Sequence, residues 1–433
     1  MKKVQVLFLA VITIAFQSCQ TSEKENTGIT FLLSNPSTIE LVDKGVKIAR
    51  TEIDFDSSKA VYPLIKTASG EIIPSQLDDI DGDGEWDEIF LVWNFAPNEE
   101  IEISLAWVEE AREYEKRTAV RFGKRDAIDQ AVTSRKGDVL LADELPRSIG
   151  YQPYQTDGPS WENDKVGFRH YFDGRNSKDL FGKKTSAMSP KDVGVNSKGE
   201  VEDNYHTMED WGRDILAVGN SVGLGGFTLL KDDKPARLGV LVTDSVNNIE
   251  KSTFKILSEG SVRSIIHFEY NNWDAFDRKY PKVEEKVSIV PGMYGFKNEV
   301  KFDGLQGDEH IAIGLVNIHN DKGIKQIDDF EDWVVLMTHD AQGYEKEWII
   351  GMALILPKAQ FIEMIEAPQE GNVTDSYLAK MKTVNNEPIE YYAIGAWELS
   401  DEGFREAAYF EQYLRDLVSE IQVDIQVNKI TQE

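Results

Sequence analysis

The dominant pattern along the chain is alternation. Ile101, Ile103, Leu105 and Trp107 alternate with Glu102, Ser104 and Ala106, which puts the large apolar side chains on one face of an extended strand. The same period of two recurs where Ile266, Phe268 and Tyr270 alternate with Ile265, His267 and Glu269. Val283, Glu285, Val287 and Ile289 continue it, and a Pro291-Gly292 turn leads into a further strand at 298–302. Half-buried strands separated by Gly, Asn and Asp clusters predict sheets packed face to face. The expected fold is therefore mainly β: a large antiparallel β-sandwich, supersandwich-like, with a smaller N-terminal β-domain and one C-terminal helix. That helix is read from Phe404, Ala407, Phe410, Leu414, Leu417 and Ile421, spaced by three and four after Ser400, a candidate N-cap. Residues 210–218 read as a second, shorter helix.

The first residues break this pattern. Lys2 and Lys3 precede an apolar run at 4–16, too short for a bilayer span, and residues 1–18 read as a signal peptide. The sole cysteine, Cys19, follows it in a setting that resembles a bacterial lipobox, so lipidation at Cys19 is expected, with residues 19–28 as a lipoprotein tether. The alternative is an ordinary leader that discards the cysteine. Either way the protein is expected to be exported, as a periplasmic or outer-membrane-anchored lipoprotein, with membrane contact only through the N-terminal lipid. Neither version allows an internal disulfide. The remaining chain of roughly 400 residues exceeds one ordinary domain. Its expected division is a small N-terminal β-domain at 29–110, a charged linker at 111–130 and a catalytic β-sandwich domain at 131–433.

Charge narrows the partners. With 76 acidic against 47 basic residues the formal net charge is −29, which argues against nucleic acid. Residues 158–184 run against the trend: Lys165, Arg169, Arg175, Lys178, Lys183 and Lys184 face only Glu162, Asp164, Asp173 and Asp179. A locally basic segment in an acidic protein suits an anionic small molecule.

Candidate chemistry concentrates at 158–226. In extended conformation Phe168, His170 and Phe172 share one face, and Arg169, Tyr171 and Asp173 the other. Arg169 offers a planar fork for a carboxylate and Tyr171 a phenol able to move a proton. Read as a helix, His206, Asp210 and Asp214 fall on one side, pairing an imidazole with carboxylates. The competing reading makes Arg169, Asp173 and Asp214 a structural ion-pair network and His206 a surface residue. Trp161, Trp211 and Trp273 are candidates for stacking on sugar rings, with core packing as the alternative. His267, His310, His319 and His339 are isolated, and no spacing supports a catalytic zinc. The glycine-rich run 218–226 lacks a phosphate-loop ending and reads as a backbone device. Asp79, Asp81, Asp83 and Asp87 alternate around Gly84 as a structural calcium loop would. Phe90 at the twelfth position excludes an EF-hand, and an acidic turn is the alternative.

Residues 161–169 (WENDKVGFR), 181–184 (FGKK) and 205–212 (YHTMEDWG), with the Asp81–Gly84 loop and the Gly395-Ala396-Trp397 tail, carry a resemblance. The chain resembles a family of exported Bacteroidota proteins from polysaccharide-utilisation loci that has carried a domain-of-unknown-function label. A member from an ulvan-degradation locus is an oligosaccharide dehydratase, and the resemblance implies that activity here. Water would leave a non-reducing-end glucuronic or iduronic acid of an ulvan-type oligosaccharide, giving a 4,5-unsaturated uronyl residue. The roles come from chemistry rather than from the family. Arg169 would neutralise the substrate carboxylate, with Arg175 or Arg213 as substitutes, while His206 as base and Tyr171 as acid move the protons. Trp161, His170, Asp210, Trp211, Asp214 and Trp273 complete the expected substrate-binding set. No cofactor is expected to be required, and the structural calcium stays one of the two readings of the acidic loop. Another carbohydrate-active β-sandwich enzyme (mutarotase, lyase or hydrolase) and a non-catalytic glycan-binding lipoprotein are the alternatives.

Overall fold

Strands whose apolar residues alternate have one apolar face to cover, and the chain covers it by stacking antiparallel sheets. The computed structural model describes residues 28–53, 62–146 and 152–430. The expected leader, Cys19 and the tether up to residue 27 lie outside these. No helix among the described residues is long and apolar enough to cross a membrane.

The strand Glu100–Val108 forms where alternation predicts it. It pairs with Ile29–Ser34 on one side and Tyr62–Thr67 on the other, with Gln426–Ile430 and Ile72–Ile73 at the two edges of the sheet. A three-stranded sheet of Leu41–Ala49, Glu88–Phe95 and Ser75–Asp78 completes the N-terminal unit around Phe31, Leu33, Ile48, Ile65, Leu91 and Ile103. The strand Gln426–Ile430 comes from the far end of the chain, so this unit is not confined to residues 29–110.

In the larger unit one layer is a nine-stranded sheet running from Gly137–Leu141 through Ser264–Ala275, Arg278–Ile289 and Ile389–Trp397 to Lys325–Ile327. Two five-stranded sheets form the other layer, one centred on Val166–His170 and one on Glu309–Val316. Phe168, Leu180 and Ile313 of this layer meet Phe268, Tyr270 and Phe296 of the nine-stranded sheet in one core. Glu285 breaks the apolar face of its strand yet is fully buried. Lys178 crosses from the opposite layer to it at 2.5 Å, and the Asn298 amide donates to it at 2.6 Å. A buried charge persists only when paired in this way.

Three expectations need correction. The segment 111–130 is not only a linker, because Thr118–Arg121 hydrogen-bonds to Ser160–Asn163 as the edge of a five-stranded sheet. Residues 210–218 are not helical. Gly212–Asp214 extends the same sheet at its other edge, and Gly212 has φ +137 with its position for a Cβ only 1.8 Å from the Gly182 carbonyl oxygen. Strand pairing that close admits glycine alone. The C-terminal helix spans Ala407–Ile421 and buries Phe410, Leu414, Leu417 and Val418 as its spacing predicts. Its start is not Ser400, whose hydroxyl donates to the Lys183 carbonyl at 2.6 Å; Asp401 instead caps a short 3-10 turn at Glu402–Arg405. In the glycine-rich run, Gly223 at φ +82 lets the backbone lie against Lys178, where a Cβ would sit 2.0 Å from that residue's carbonyl oxygen.

A cleft of about 750 Å³ separates the N-terminal unit from the nine-stranded sheet and the helix, lined among others by Lys44, Phe90, Tyr392, Tyr413 and Glu420. Burial pushes the Glu420 carboxyl up to about 7 from 4.5, against the pull of Lys44. A carboxyl raised on folding stabilises fully below its unfolded value and loses that contribution as pH rises through its folded value. Glu420→Gln is therefore expected to raise the denaturation midpoint at about pH 8 and leave it unchanged at about pH 4. Equal effects at both pH values would contradict the assignment.

Candidate active site

The strands Val166–His170, Lys178–Lys183 and Gly212–Asp214 place alternate residues on opposite faces of their sheet. Register sets Arg169 beside Asp179 and Phe181 beside Asp214, so these residues share the outer face. The segment 184–211 folds over this face, packing Val193, Tyr205 and Trp211 on Phe181. Charged side chains thus end up beneath a cover.

Arg169 is the centre of that layer, with a side-chain exposure of 1%. Its Nη2 donates to the Tyr171 hydroxyl at 2.7 Å, to Asp214 at 2.8 Å and to Asp179, while Tyr171 donates to Asp179 at 2.8 Å. Asp157 lies 3.8 Å from Nη1. Arg175 forks onto Asp173 and stacks on the Tyr171 ring at 3.8 Å. Asp157, Asp173, Asp179 and Asp214 thus face two guanidinium groups, an excess of acid in a dry place. Burial first, and then Asp179, push the Asp214 carboxyl well above the ordinary carboxylate range despite Arg169. Burial raises Asp157 as well. Thr156, fully buried and β-branched, holds φ 52, and Asp157 holds φ 58. Such conformations cost about 1–3 kcal/mol each and persist where surrounding contacts impose them.

His206 stands at the edge of this layer on the 3-10 turn Asn204–His206. Its Nδ1 is 3.5 Å from Asp214 Oδ2, and its side chain is 43% exposed. Partial burial and then Arg169 lower its pKa below 6.5, so the imidazole is neutral at neutral pH. Tyr344 faces it with ring centroids 6.0 Å apart. Arg213 lies close by: its Nε donates to the Asp214 carbonyl at 2.9 Å, and its guanidinium sits 5.0 Å over the Trp348 ring. Glu347 approaches Arg213 Nη1 at 3.6 Å. Solvent meets His206, Tyr344 and the half-buried Trp348 here, with Arg213 just beneath.

Several expected site residues are placed elsewhere. Arg169 is enclosed by carboxylates, so the ion-pair alternative describes it, joined by Asp179 where Asp173 was expected. The Tyr171 hydroxyl is buried and used within that network. His170 is fully buried 4.3 Å from the Phe268 ring, and burial and Lys178 hold it well below the ordinary imidazole range. Trp161 packs on Phe168, and Trp273 is enclosed with its indole donating to the Arg237 carbonyl at 3.2 Å. Trp211 is buried on Phe181. These three are core, because large rings on sheet faces bury most area there. Asp210 is exposed and does not line up with His206, since the segment is not helical. Sequence reading missed Tyr344 as a neighbour of His206, Trp348 as a neighbour of Arg213 and Asp157 as a neighbour of Arg169. Asp179 was legible in principle, as the cross-strand partner of Arg169.

The acidic loop is separate. Carboxylate oxygens of Asp79, Asp81 and Asp87 lie within 4.8 Å of one another. Asp83 is not part of that group and accepts from the Glu85 amide at 2.8 Å. Three hard oxygen donors fit calcium in kind. Calcium is expected to raise the thermal midpoint of the wild type and not of Asp79→Asn; at one hundred times Kd the gain is about 2.7 kcal/mol. No shift in the wild type would leave the loop an acidic turn.

Fold and site together define an antiparallel protein of two β-units, with a histidine–carboxyl site at a sheet edge of the larger one. A family profile described as "Domain of unknown function (DUF4861)" matches residues 33–427, and the chain belongs to that family. "Uncharacterized protein P7" of Formosa agariphila is 23% identical over 456 residues, covering 99% of this chain and 100% of that protein. Among solved structures, an alpha-mannosidase from Enterococcus faecalis is similar at a TM-score of 0.49 and 9% identity, covering 94% of this chain and 46% of that one. A glycosyl hydrolase family 38 protein from Enterococcus faecalis is similar at 0.49 and 9%, covering 95% and 48%. The chain thus spans about half the length of those two structures.

Proposed function

We propose that the protein is an oligosaccharide dehydratase that removes water from a non-reducing-end uronic acid of ulvan-type oligosaccharides. The observation that carries the reading is His206: a neutral, half-exposed imidazole seated on a buried carboxyl, beside an arginine. The motif resemblance and the family membership support the substrate class. The C5 proton lies next to a carboxylate, so its removal builds charge on an anionic group, and a cation must offset it. Arg213 takes that role, since Arg169 is enclosed. With Nδ1 turned to Asp214, Nε2 of His206 is free to take the proton. As C5–H breaks, C4=C5 forms and the 4-hydroxyl departs.

The test is incubation of purified protein with oligosaccharides ending in saturated glucuronic or iduronic acid. Expected are loss of one water by mass spectrometry and new conjugated-alkene absorbance. Chain cleavage instead would assign a lyase or hydrolase, and binding without turnover a glycan-binding protein.

A further inference from the structure

A 4-hydroxyl is a poor leaving group without a proton, and the phenol expected to supply one, Tyr171, is spent inside the Arg169 network. Tyr205 is likewise buried, donating to Asp203 at 3.0 Å. Tyr344 differs. It is 40% exposed, and its hydroxyl forms no hydrogen bond among the described residues. Its ring lies 6.0 Å from the His206 ring at 30°, and both side chains are exposed.

The backbone holds it there. The Tyr344 amide donates to the Ile215 carbonyl at 2.8 Å, tying its loop to the strand end just past Asp214. Glu345 and Lys346 follow at φ 61 and 59, both left-handed without glycine. Elsewhere the adjacent pairs Asp232-Asp233 and Phe276-Asp277 do this in two-residue hairpin turns, and Thr156-Asp157 does it in the 3-10 turn Gln155–Asp157. Residues 342–348 form a longer loop between Trp333–Ala341 and Ile349–Pro357, in which the Lys346 amide donates to the Gly343 carbonyl at 2.9 Å across a tight turn. The same loop carries Trp348, which holds Arg213.

We infer that Tyr344 is the catalytic acid of this site, protonating the departing C4 oxygen while His206 takes the C5 proton. This rests on the dehydration reading above. The step balances: C5–H and C4–O break, C4=C5 forms, and the phenolic proton joins the leaving hydroxide as water. His206 gains one proton and Tyr344 loses one, and solvent exchange restores both.

The experiment compares wild type, Tyr344→Phe and His206→Ala on a uronyl oligosaccharide and on its 4-deoxy-4-fluoro analogue, whose fluoride leaves unprotonated. Tyr344→Phe is expected to lose about 10²–10⁴-fold in kcat on the hydroxyl substrate and to recover most of it on the fluoro analogue. His206→Ala is expected to stay slow on both. Full activity of Tyr344→Phe on the hydroxyl substrate, or equal losses on both substrates, would overturn the role of Tyr344 and leave the dehydratase reading standing. Failure of the wild type to eliminate water from the hydroxyl substrate and fluoride from the analogue would overturn both.

Discussion

His206→Ala is expected to lower kcat for uronyl dehydration by about 10²–10⁴-fold, the usual contribution of a positioned general base. Its unfolding midpoint should stay near that of the wild type, because the side chain is 43% exposed and touches Asp214 only at 3.5 Å. The pH profile sharpens the test. Burial and Arg169 lower the His206 pKa, and the proton-accepting form is the neutral one. The rate should therefore rise with pH through a value below the ordinary imidazole 6.5 and hold at neutral pH. A variant that keeps full turnover, or a wild-type limb above 6.5, would remove His206 from the reaction.

The second large effect is on stability. Arg169→Met leaves Asp179 and Asp214 buried with their cation gone, and removing one partner of such a network costs about 3–5 kcal/mol. Acid should soften the loss. Without the guanidinium the Asp214 carboxyl, already raised by burial, shifts further up and folds protonated, so the deficit grows as pH rises. Urea unfolding at two pH values measures both predictions. A cost below about 1 kcal/mol, the range of an exposed pair, would contradict the buried network.

The two faces of residues 168–173 were legible in the sequence, because strand geometry leaves a period of two no freedom. Phe168 and His170 do point to the core, and Arg169 and Tyr171 to the outer face. What period could not say is which face water reaches. The outer face carries the charges, yet the segment 184–211 covers it, and Arg169 passes from ligand-binder to buried partner. His170 and the tryptophans at 161 and 273 passed the other way, from site to core. Residues 210–218 failed as a helix because the spacing of His206, Asp210 and Asp214 weighs nothing against strand pairing at Gly212. Tyr344 and Trp348 left no local signal, since their relations to His206 and Arg213 exist only across a loop contact.

By itself the sequence determined the class of fold, the C-terminal helix and the glycine-built backbone turns. Those follow from local rules: alternation, helical spacing and absent Cβ atoms. Tertiary structure alone decided that Gln426–Ile430 closes the N-terminal unit, that Lys178 meets Glu285, and that His206 stands in solvent opposite Tyr344 with Asp214 behind it. Each depends on segments far apart in the chain being brought together, and no pattern within either segment encodes the distance between them.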